Sequence, residues 1–312
     1  MPEPLFVIDG LRVDYAETTA VRDVSFEVGA GEVFGLIGPV GAGKSSLLAA
    51  AAALVEPTYG DVRVGGFSVF EERERALALL GFMPASPTRI QDLNVREWLD
   101  FSASAFGVPR AERATRIAAA LDATDLESYA ELAAADLDAA LRQRLAFARA
   151  LLHDPSVLLV DVPETGLEPG MLDQLKSTVG DLQAAGKAVV IASHSLAEVE
   201  ELCTHMGILD EGAMLISGPV ADVLQSLKPG RAIRVSLVRP DQRLAEFLSS
   251  QPHVRDVEAT SDSASFRLEG GLQEAAGLLR RLVESDFPLA DFSAREGRLQ
   301  ETLEEVGGGH SG

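Results

Sequence analysis

The sequence contains a single cysteine, Cys203, among its 312 residues, so no intrachain disulfide and no cysteine-based metal site is expected. Basic residues are also scarce, since 27 Lys and Arg stand against 48 Asp and Glu, a formal net charge of −21. Such a surface repels nucleic acid phosphates, which argues against nucleic acid as a main partner. The longest apolar helical run, residues 47–55, is about half a membrane span, and the N-terminus lacks a signal-peptide pattern. We therefore expect a cytoplasmic protein that reaches a membrane only through another chain.

The apolar residues that are present form short runs separated by helical patterns. Residues 5–15 and 20–28 alternate and predict a hairpin, whereas 32–38, 156–161 and 187–194 predict buried parallel strands. The other expected elements are a helix over 44–54, short strands over 61–70, mostly helical structure over 94–152 with a break at 107–109, a helix over about 169–184, and a hairpin over 207–218 that turns at Glu211-Gly212. This alternation predicts an α/β fold whose mainly parallel sheet is covered on both faces.

After about residue 230 the pattern changes to that of a small α+β domain. Strands are expected at 231–238 and 288–294, helices at 241–251 and 271–285, and a hairpin at 254–270. This β-α-β-β-α-β order is typical of a ferredoxin-like module. The predicted domains are 1–228 and 229–306, the second ending in a helix over 297–306, with a disordered Gly-rich tail at 307–312.

The segment GPVGAGKS, residues 38–45, matches GxxxxGK[ST] and lies between a predicted buried strand and a predicted helix. Its glycines let backbone amides turn toward phosphate oxygens, and the helix N-terminus adds partial positive charge. Lys44 can reach the β- and γ-phosphates, while the Ser45 hydroxyl and Asp161, at the end of an apolar run, can hold one Mg²⁺. The candidate nucleotide-binding residues here are Gly38, Pro39, Val40, Gly41, Ala42, Gly43, Lys44, Ser45 and Ser46.

Residues 4–226 resemble the ATP-binding subunit of an ABC transporter. The stretch LRVDYAETTAVRDVSFEV resembles the family's opening hairpin and places Tyr15 where an aromatic ring stacks on adenine. RQRLAFARALLHDPSVLLVDVP resembles the stretch from the signature helix to the Mg²⁺ strand, and VVIASHSLAEVEELC carries the switch histidine as His194. The residues alone also allow Tyr15 as a half-buried hairpin tyrosine and His194 as a core histidine.

The resemblance implies a P-loop NTPase domain of the ABC ATPase type that binds ATP and Mg²⁺. It also implies an antiparallel β subdomain, a helical subdomain over about 92–150, and a homodimer or heterodimer of ATP-binding subunits. The small C-terminal domain, which ends in LQETLEEV, is similar to that of ATPases paired with ABC-2 type membrane subunits. We therefore expect multi-span membrane subunits as partners and a peripheral position on the cytoplasmic face of the cell membrane.

The sequence departs from the family pattern at two kinds of position: those whose residues cleave ATP, and those that complete the nucleotide site of a partner subunit. Asp138, Ala139 and Ala140 replace the signature Ser-Gly-Gly. Asp138 is expected to cap a helix N-terminus, and it repels a facing γ-phosphate by roughly 4 kcal/mol per charge pair. The water-activating glutamate falls on Val162, which cannot accept a proton, and the family's Mg²⁺-ligating glutamine falls on Ala85.

Two smaller departures lie nearby. The family's aspartate in the loop after the Mg²⁺ strand is Glu168, and an asparagine common in the phosphate loop is Val40. Glu164 lies beyond Pro163, and we expect its side chain not to replace the missing acid. Groups that bind MgATP are therefore kept, while groups that cleave it are lost, with His194 as the exception.

Three hypotheses follow from this pattern. The first is a degenerate ATP-binding subunit that binds MgATP, docks on membrane subunits through residues near 83–106, and hydrolyses ATP slowly or not at all. The second is an active transport ATPase in which Glu164 or Glu168 substitutes. The third is a soluble regulator or scaffold, against which stands the resemblance of residues 92–110 to a region that contacts membrane subunits. Trp98 and Phe101 in that region fit a plain helix core equally well.

Overall fold

The computed structural model describes residues 3–87, 90–163, 165–226, 231–268, 270 and 272–295. The chain divides into two compact units, Met1–Val223 and Leu224–Gly312, so the division falls five residues before the predicted domain end at 228. The predicted last helix and Gly-rich tail lie outside the described residues. Within the described ranges, no helix combines the length and the apolar character that crossing a bilayer requires.

The first unit is an α/β structure with two sheets. Its strands are β1 (Phe6–Tyr15), β2 (Thr18–Val28), β3 (Val33–Ile37), β4 (Tyr59–Val64), β5 (Phe67–Ser68), β6 (Leu80–Met83), β7 (Val157–Asp161), β8 (Ala188–Ser193), β9 (His205–Asp210) and β10 (Ala213–Pro219). Its helices are α1 (Lys44–Ala51), α2 (Arg73–Leu77), α3 (Val95–Ala105), α4 (Arg110–Asp122), α5 (Ala139–Leu151), α6 (Pro169–Ala184), α7 (Leu196–Leu202) and α8 (Val220–Ser226), the last of which crosses the division between the units.

The central sheet has the order β10-β9-β3-β8-β7-β6, parallel throughout except for the antiparallel edge strand β10. Alternate side chains of its inner strands enter two different cores. Leu158 and Val160 pack in a core that includes Met171 of α6, whereas Leu159 packs in the core that includes Leu47 of α1. The predicted burial of both sheet faces is confirmed. The carboxyl ends of β3, β8 and β7 therefore meet at one edge of the sheet.

The second sheet, of order β2-β1-β4-β5, is antiparallel and contains the predicted opening hairpin. The region predicted as mostly helical over 94–152 contains α3, α4 and α5, which share a core of their own. Residues 123–138 form turns and two short 3-10 segments, so the region is mostly helical, as predicted, and the helices are interrupted there. Asp125 takes a left-handed backbone (φ +51°), which stops the helical pattern. Likewise α1 ends at Ala51, since Ala53 is left-handed (φ +53°), and not at 54.

The second unit consists of β11 (Arg231–Leu237), α9 (Leu244–Ser249), β12 (Val254–Ala259), β13 (Ser263–Leu268), α10 (Leu272–Glu284) and β14 (Leu289–Arg295). Its strands form an antiparallel sheet of order β12-β13-β11-β14. Ile233 and Phe266 of the sheet share a core with Leu244 and Leu278 of the two helices. The elements follow the order expected from the sequence, and the ferredoxin-like name stays a prediction.

Candidate functional site

A cavity of about 930 Å³ lies at the edge where β3, β7 and β8 end. It gathers most of the predicted site residues, namely those from Val40 to Ser46 together with Ala139, Asp161, Val162 and His194. The predicted site residues outside its lining are Tyr15, Gly38, Pro39, Asp138 and Ala140. Tyr15 is 44% exposed at the end of β1, and Val40 is 64% exposed at the tip of the loop. Segments from distant parts of the sequence thus meet at one site.

The predicted phosphate loop connects β3 to α1 and turns on glycines with positive φ. Gly43, the N-cap of α1, has φ +102°, and a Cβ added there would lie 2.1 Å from the carbonyl oxygen of Ala20. The first hydrogen bond of the helix joins the Leu47 amide to the Gly43 carbonyl at 2.9 Å. Earlier amides of the turn, such as those of Ser45 and Ser46, point out of the N-terminal end of the helix. This is the arrangement that binds an anion.

Lys44 lies along the loop that precedes it. Its Nζ donates to the carbonyl oxygens of Gly38 and Pro39 at 2.7 and 2.8 Å. These two hydrogen bonds to backbone carbonyls hold the ammonium group against the loop. A phosphate oxygen is a stronger acceptor, because the resulting hydrogen bond joins two opposite charges.

Asp161, the last residue of β7, is 5% exposed and lines the cavity. The Ser45 hydroxyl, the Lys44 ammonium group and the Ala85 backbone amide lie near enough to favour the charged form of its carboxylate. Burial nevertheless dominates and raises the pKa of Asp161 above its ordinary value. Among the described residues that line the cavity, Asp161 is the one carboxylate.

The Ser45 hydroxyl and the Asp161 carboxylate fit a Mg²⁺ site. Both ligand atoms are oxygens, which Mg²⁺ prefers, and they lie close enough for the Ser45 hydroxyl to favour the charged form of Asp161. A cation there would also offset the free-energy cost of burying the negative charge of Asp161. Mg²⁺ supplies charge neutralisation for nucleotide phosphates when bound. Ala85, at the position of the family's glutamine, offers only its amide to Asp161 and has no side-chain ligand.

Val162 follows Asp161 directly and is 6% exposed. Its amide donates to the Ala192 carbonyl at 2.9 Å, which fixes the backbone beside β8. The side chain belongs to the apolar core of Met83 and Met171 and also forms part of the cavity wall. An isopropyl group therefore stands where the resemblance expects a general base, and it offers no atom that can take a proton from water.

Asp138 caps the N-terminus of α5, as the sequence predicts. Its Oδ1 accepts from the Leu141 amide at 2.8 Å, so a carboxylate occupies the helix end where the family's signature presents amides. Ala139 begins the helix and lines the cavity. The Cβ atoms of Ala139 and Ala140 stand where the family has glycine.

The retained histidine and the two possible replacement acids differ in position. His194 follows β8, is half-buried and lines the same cavity as the phosphate loop. Glu168 does not line the cavity, and its Oε1 lies 3.6 Å from the guanidinium of Arg144 on α5. Glu164 lies outside the described residues.

Several lining residues were not predicted from the sequence. Arg142 and Gln143, near the start of α5, line the cavity together with Phe82 and Thr165. The available signal was their position shortly after the altered signature, because residues near the start of a helix lie close to whatever its N-terminus faces. Arg142 also donates a hydrogen bond to the Leu137 carbonyl.

A second, more apolar groove of about 460 Å³ lies beside the cavity in the first unit. Trp98, Phe106 and Ile90 line it, and all three fall within the range 83–106 expected to contact a membrane partner. Arg149 lies over the Phe106 ring, 5.0 Å from its centroid. The groove thus joins an apolar floor to cationic side chains.

Comparison with known proteins agrees with this geometry. The family model described as ABC transporter matches residues 21–165. The linearmycin resistance ATP-binding protein LnrL of Bacillus subtilis (strain 168) is 30% identical over 249 residues, which cover 80% of each chain. The Nod factor export ATP-binding protein I of Rhizobium sp. (strain N33) is 30% identical over 294 residues, covering 92% of this chain and 94% of that protein.

Solved structures give the same fold. The structure of an ATP binding subunit of an ABC transporter superposes with a TM-score of 0.66 at 27% identity, covering 71% of this chain and 92% of that one. A dimeric ATP-binding cassette in a post-hydrolysis state, bound to ADP and Pi, has a TM-score of 0.60 at 23% identity, covering 69% and 98%. The fold, the phosphate-binding loop and these relatives together show that the chain belongs to the ABC transporter family, as an ATP-binding protein.

Proposed function

We propose that this protein is a nucleotide-binding subunit of an ABC-2 type exporter that binds MgATP but hydrolyses it slowly or not at all. In this proposal, the groups from Val40 to Ser46 hold the triphosphate, and Ser45 and Asp161 hold Mg²⁺. ATP then acts as a switching ligand, since its binding and release bias the subunit between conformations without rapid cleavage.

The observation that carries the proposal is the contrast between Asp161 and Val162. The buried carboxylate is kept beside Ser45, whereas the next residue is apolar and packs into the core. Among the described lining residues, no second carboxylate is placed to activate water. Loss of a positioned general base lowers turnover about 10²–10⁴-fold.

Asp138 adds a second impairment, at the surface that would face a partner subunit. Its carboxylate satisfies the Leu141 amide, and in a dimer it would place negative charge toward the partner's γ-phosphate. At an effective dielectric near 20, two unit charges about 4 Å apart repel by roughly 4 kcal/mol. A partner subunit with intact motifs would therefore restore hydrolysis only in part, because Asp138 would still face the nucleotide that the partner binds.

Export and membrane docking are supported by the relatives. One of them is named as a Nod factor export protein and another as a resistance protein, and both match over most of their length. The groove lined by Trp98 and Phe106 offers an apolar surface for a cytoplasmic segment of a membrane subunit, which would hold the protein at the membrane face. Dimerisation is supported by the solved dimeric cassette of the same fold.

Rebuilding the missing groups tests the proposal. V162E alone is expected to leave phosphate release within about tenfold of the wild type, because Asp138 still opposes closure of the dimer. V162E combined with D138S, A139G and A140G restores both the base and the signature, and release should rise by at least about 10²-fold. The matched control is the triple signature variant that keeps Val162.

Two results would contradict the proposal. Normal turnover in V162E alone would show that the altered signature is harmless. Rapid turnover in the wild type, alone or with membranes that contain its partner, would support an ordinary transport ATPase instead.

A further inference from the structure

A third cavity, of about 410 Å³, lies entirely within the second unit. Its volume falls in the range of about 300–1,000 Å³ that is typical of small-molecule sites. The lining residues come from β11, β12, β13 and the turn between the last two strands, namely Arg234, Glu258, Ala259, Thr260, Ser263, Ala264 and Ser265. None of them belongs to the nucleotide site, so the cavity needs an explanation of its own.

The cavity lies on the face of the sheet away from helices α9 and α10. Ile233 and Val235 are buried in the core that the sheet shares with these helices, whereas Arg234 between them is exposed. Because successive side chains of a strand point to opposite faces, Arg234 belongs to the other face. Its Cα partner on β13 is Ser265, which is also exposed.

An irregularity in β12 brings an acidic residue to the same face. Between the pairs Arg255–Arg267 and Glu258–Ser265, β12 advances by three residues while β13 advances by two. The irregularity includes Asp256, whose backbone is left-handed (φ +50°). One extra residue reverses the alternation of a strand, so the bulge turns Glu258 from the core face to the face of Ser265.

Two opposite charges therefore share one row across three strands. Ser265 pairs with Arg234 on one side and with Glu258 on the other. Neighbouring strands lie about 4.8 Å apart, and side chains stand roughly perpendicular to the sheet, so the two charged groups are about 10 Å apart. Within the ranges that the structure describes, no ion pair joins Arg234 or Glu258 to another side chain.

Hydroxyl groups complete the polar part of the lining. The Thr260 and Ser263 hydroxyls lie 2.9 Å apart, and the Ser263 amide donates to the Thr260 hydroxyl at 3.1 Å, which orders the turn beside the cavity. The small Ser265 side chain leaves room between the two charges. Among the described residues, the lining contains no aromatic ring on which a nucleobase could stack.

We propose that this cavity binds a small zwitterion, a molecule that carries a primary ammonium group and a carboxylate or phosphate. Arg234 binds the oxyanion through its parallel N–H groups, and Glu258 accepts hydrogen bonds from the ammonium group. Hydrogen bonds of about 2.8 Å at each end of a span of about 10 Å leave about 4 Å between the charges of the ligand. An α-amino acid and phosphoethanolamine both have roughly this separation.

The two charges also exclude other ligands. Glu258 repels a simple anion and Arg234 repels a simple cation, so a ligand with both charges is favoured over a ligand with either one. The same chemistry occurs in free amino acids and in the headgroup of phosphatidylethanolamine. Binding at this site does not depend on nucleotide, so the proposal stands apart from the proposed function.

Calorimetry on the full-length protein tests the site. We expect phosphoethanolamine or at least one of the common α-amino acids to bind with a Kd in the micromolar to millimolar range. Acetate, inorganic phosphate and methylamine, which each carry charge of one sign, should bind at least about tenfold more weakly. Co-sedimentation with vesicles that contain phosphatidylethanolamine, but not with phosphatidylcholine vesicles, identifies the lipid headgroup as the source.

Charge reversal distinguishes this site from adventitious binding. R234E and E258R should each weaken binding at least about tenfold. The double variant R234E/E258R restores one charge of each sign and should recover most of the affinity, with the ligand reversed. R239A and E246A remove exposed charges that do not line the cavity and should bind like the wild type.

Four results would overturn the proposal. They are no binding of phosphoethanolamine, the amino acids or the vesicles up to the millimolar range, equal affinity for the probes with a single charge, unchanged affinity in R234E and E258R, and no recovery in the double variant. Tm is measured for every variant, and R234Q and E258Q replace any charge reversal that lowers it.

Discussion

Gly43 offers the most direct test of the loop geometry. With φ +102° it adopts a backbone conformation that residues with a side chain rarely take. A Cβ at this position would lie 2.1 Å from the Ala20 carbonyl oxygen, and real Cβ contacts are essentially never below 3.0 Å. G43A therefore requires the loop or the Ala20 backbone to move by about 0.9 Å, the difference between these two distances.

The expected loss of stability combines backbone strain and overpacking. Left-handed strain costs about 1–2 kcal/mol and overpacking about 1–3 kcal/mol, so G43A should lose about 3 kcal/mol. For a unit of this size that corresponds to a fall in Tm of about 6–12 °C. Because Ala20 also lines the cavity, the shift should weaken MgATP binding at least about tenfold as well.

Gly41 provides the matched control. It also has a positive φ, of +85°, but no heavy atom lies within 4 Å of an added Cβ. G41A should therefore lose only about 1–2 kcal/mol from strain. Tm from thermal unfolding and MgATP affinity from calorimetry are measured for both variants. G41A reports backbone strain alone, whereas G43A reports backbone strain together with the steric clash against Ala20. Equal Tm and equal MgATP affinity in G41A and G43A would refute this loop geometry.

Three further predictions concern single side chains. D138A should lower Tm by about 2–4 °C, since an N-cap contributes about 1 kcal/mol, whereas D138S should keep it; equal losses would argue against the cap. Burial raises the pKa of Cys203 from 9.0 to about 12, so at pH 8 the folded protein contains about 10³-fold less of the reactive thiolate than the unfolded chain. Cys203 should therefore react with iodoacetamide about 10³-fold more slowly before unfolding than after it. Fast labelling of the folded protein would contradict this. D161N should raise Tm of the nucleotide-free protein at pH 7: the folded pKa of Asp161 is raised, so ionisation lowers the free energy of unfolding as pH rises above about 4. The Tm advantage of D161N should therefore shrink toward pH 4, and a lower Tm than wild type at pH 7 would oppose it.

The parallel core was predictable because its strands are short apolar runs that end in recognisable turns. Val157 to Asp161 and Ala188 to Ser193 leave no polar side to face water, so only a sheet covered on both faces can hold them. The phosphate loop was predictable for a related reason, since glycines at fixed spacing before a helix suit few other structures. Even the Asp138 cap followed from the preference of aspartate for helix N-termini.

The features that could not be predicted from the sequence are those that depend on tertiary packing. Helices α1 and α4 end shortly before Ala53 and Asp125, whose backbones are left-handed, and alanine in particular rarely takes that conformation. The edge strand β6 is only four residues long, too short for its periodicity to stand out. Arg142 lines both the nucleotide cavity and the apolar groove because of the way α5 packs against the sheet, which no local sequence pattern encodes.

The central claim is that this cavity binds MgATP but lacks the groups that drive water onto the γ-phosphate. Its most direct test is a single-turnover measurement, in which excess purified protein is mixed with trace labelled MgATP and the bound nucleotide is identified over time. We predict that the bound label remains ATP, with cleavage about 10²–10⁴-fold slower than in the variant that carries the rebuilt base and signature. Rapid conversion of the bound label to ADP, or no bound label at protein concentrations up to the millimolar range, would contradict the claim.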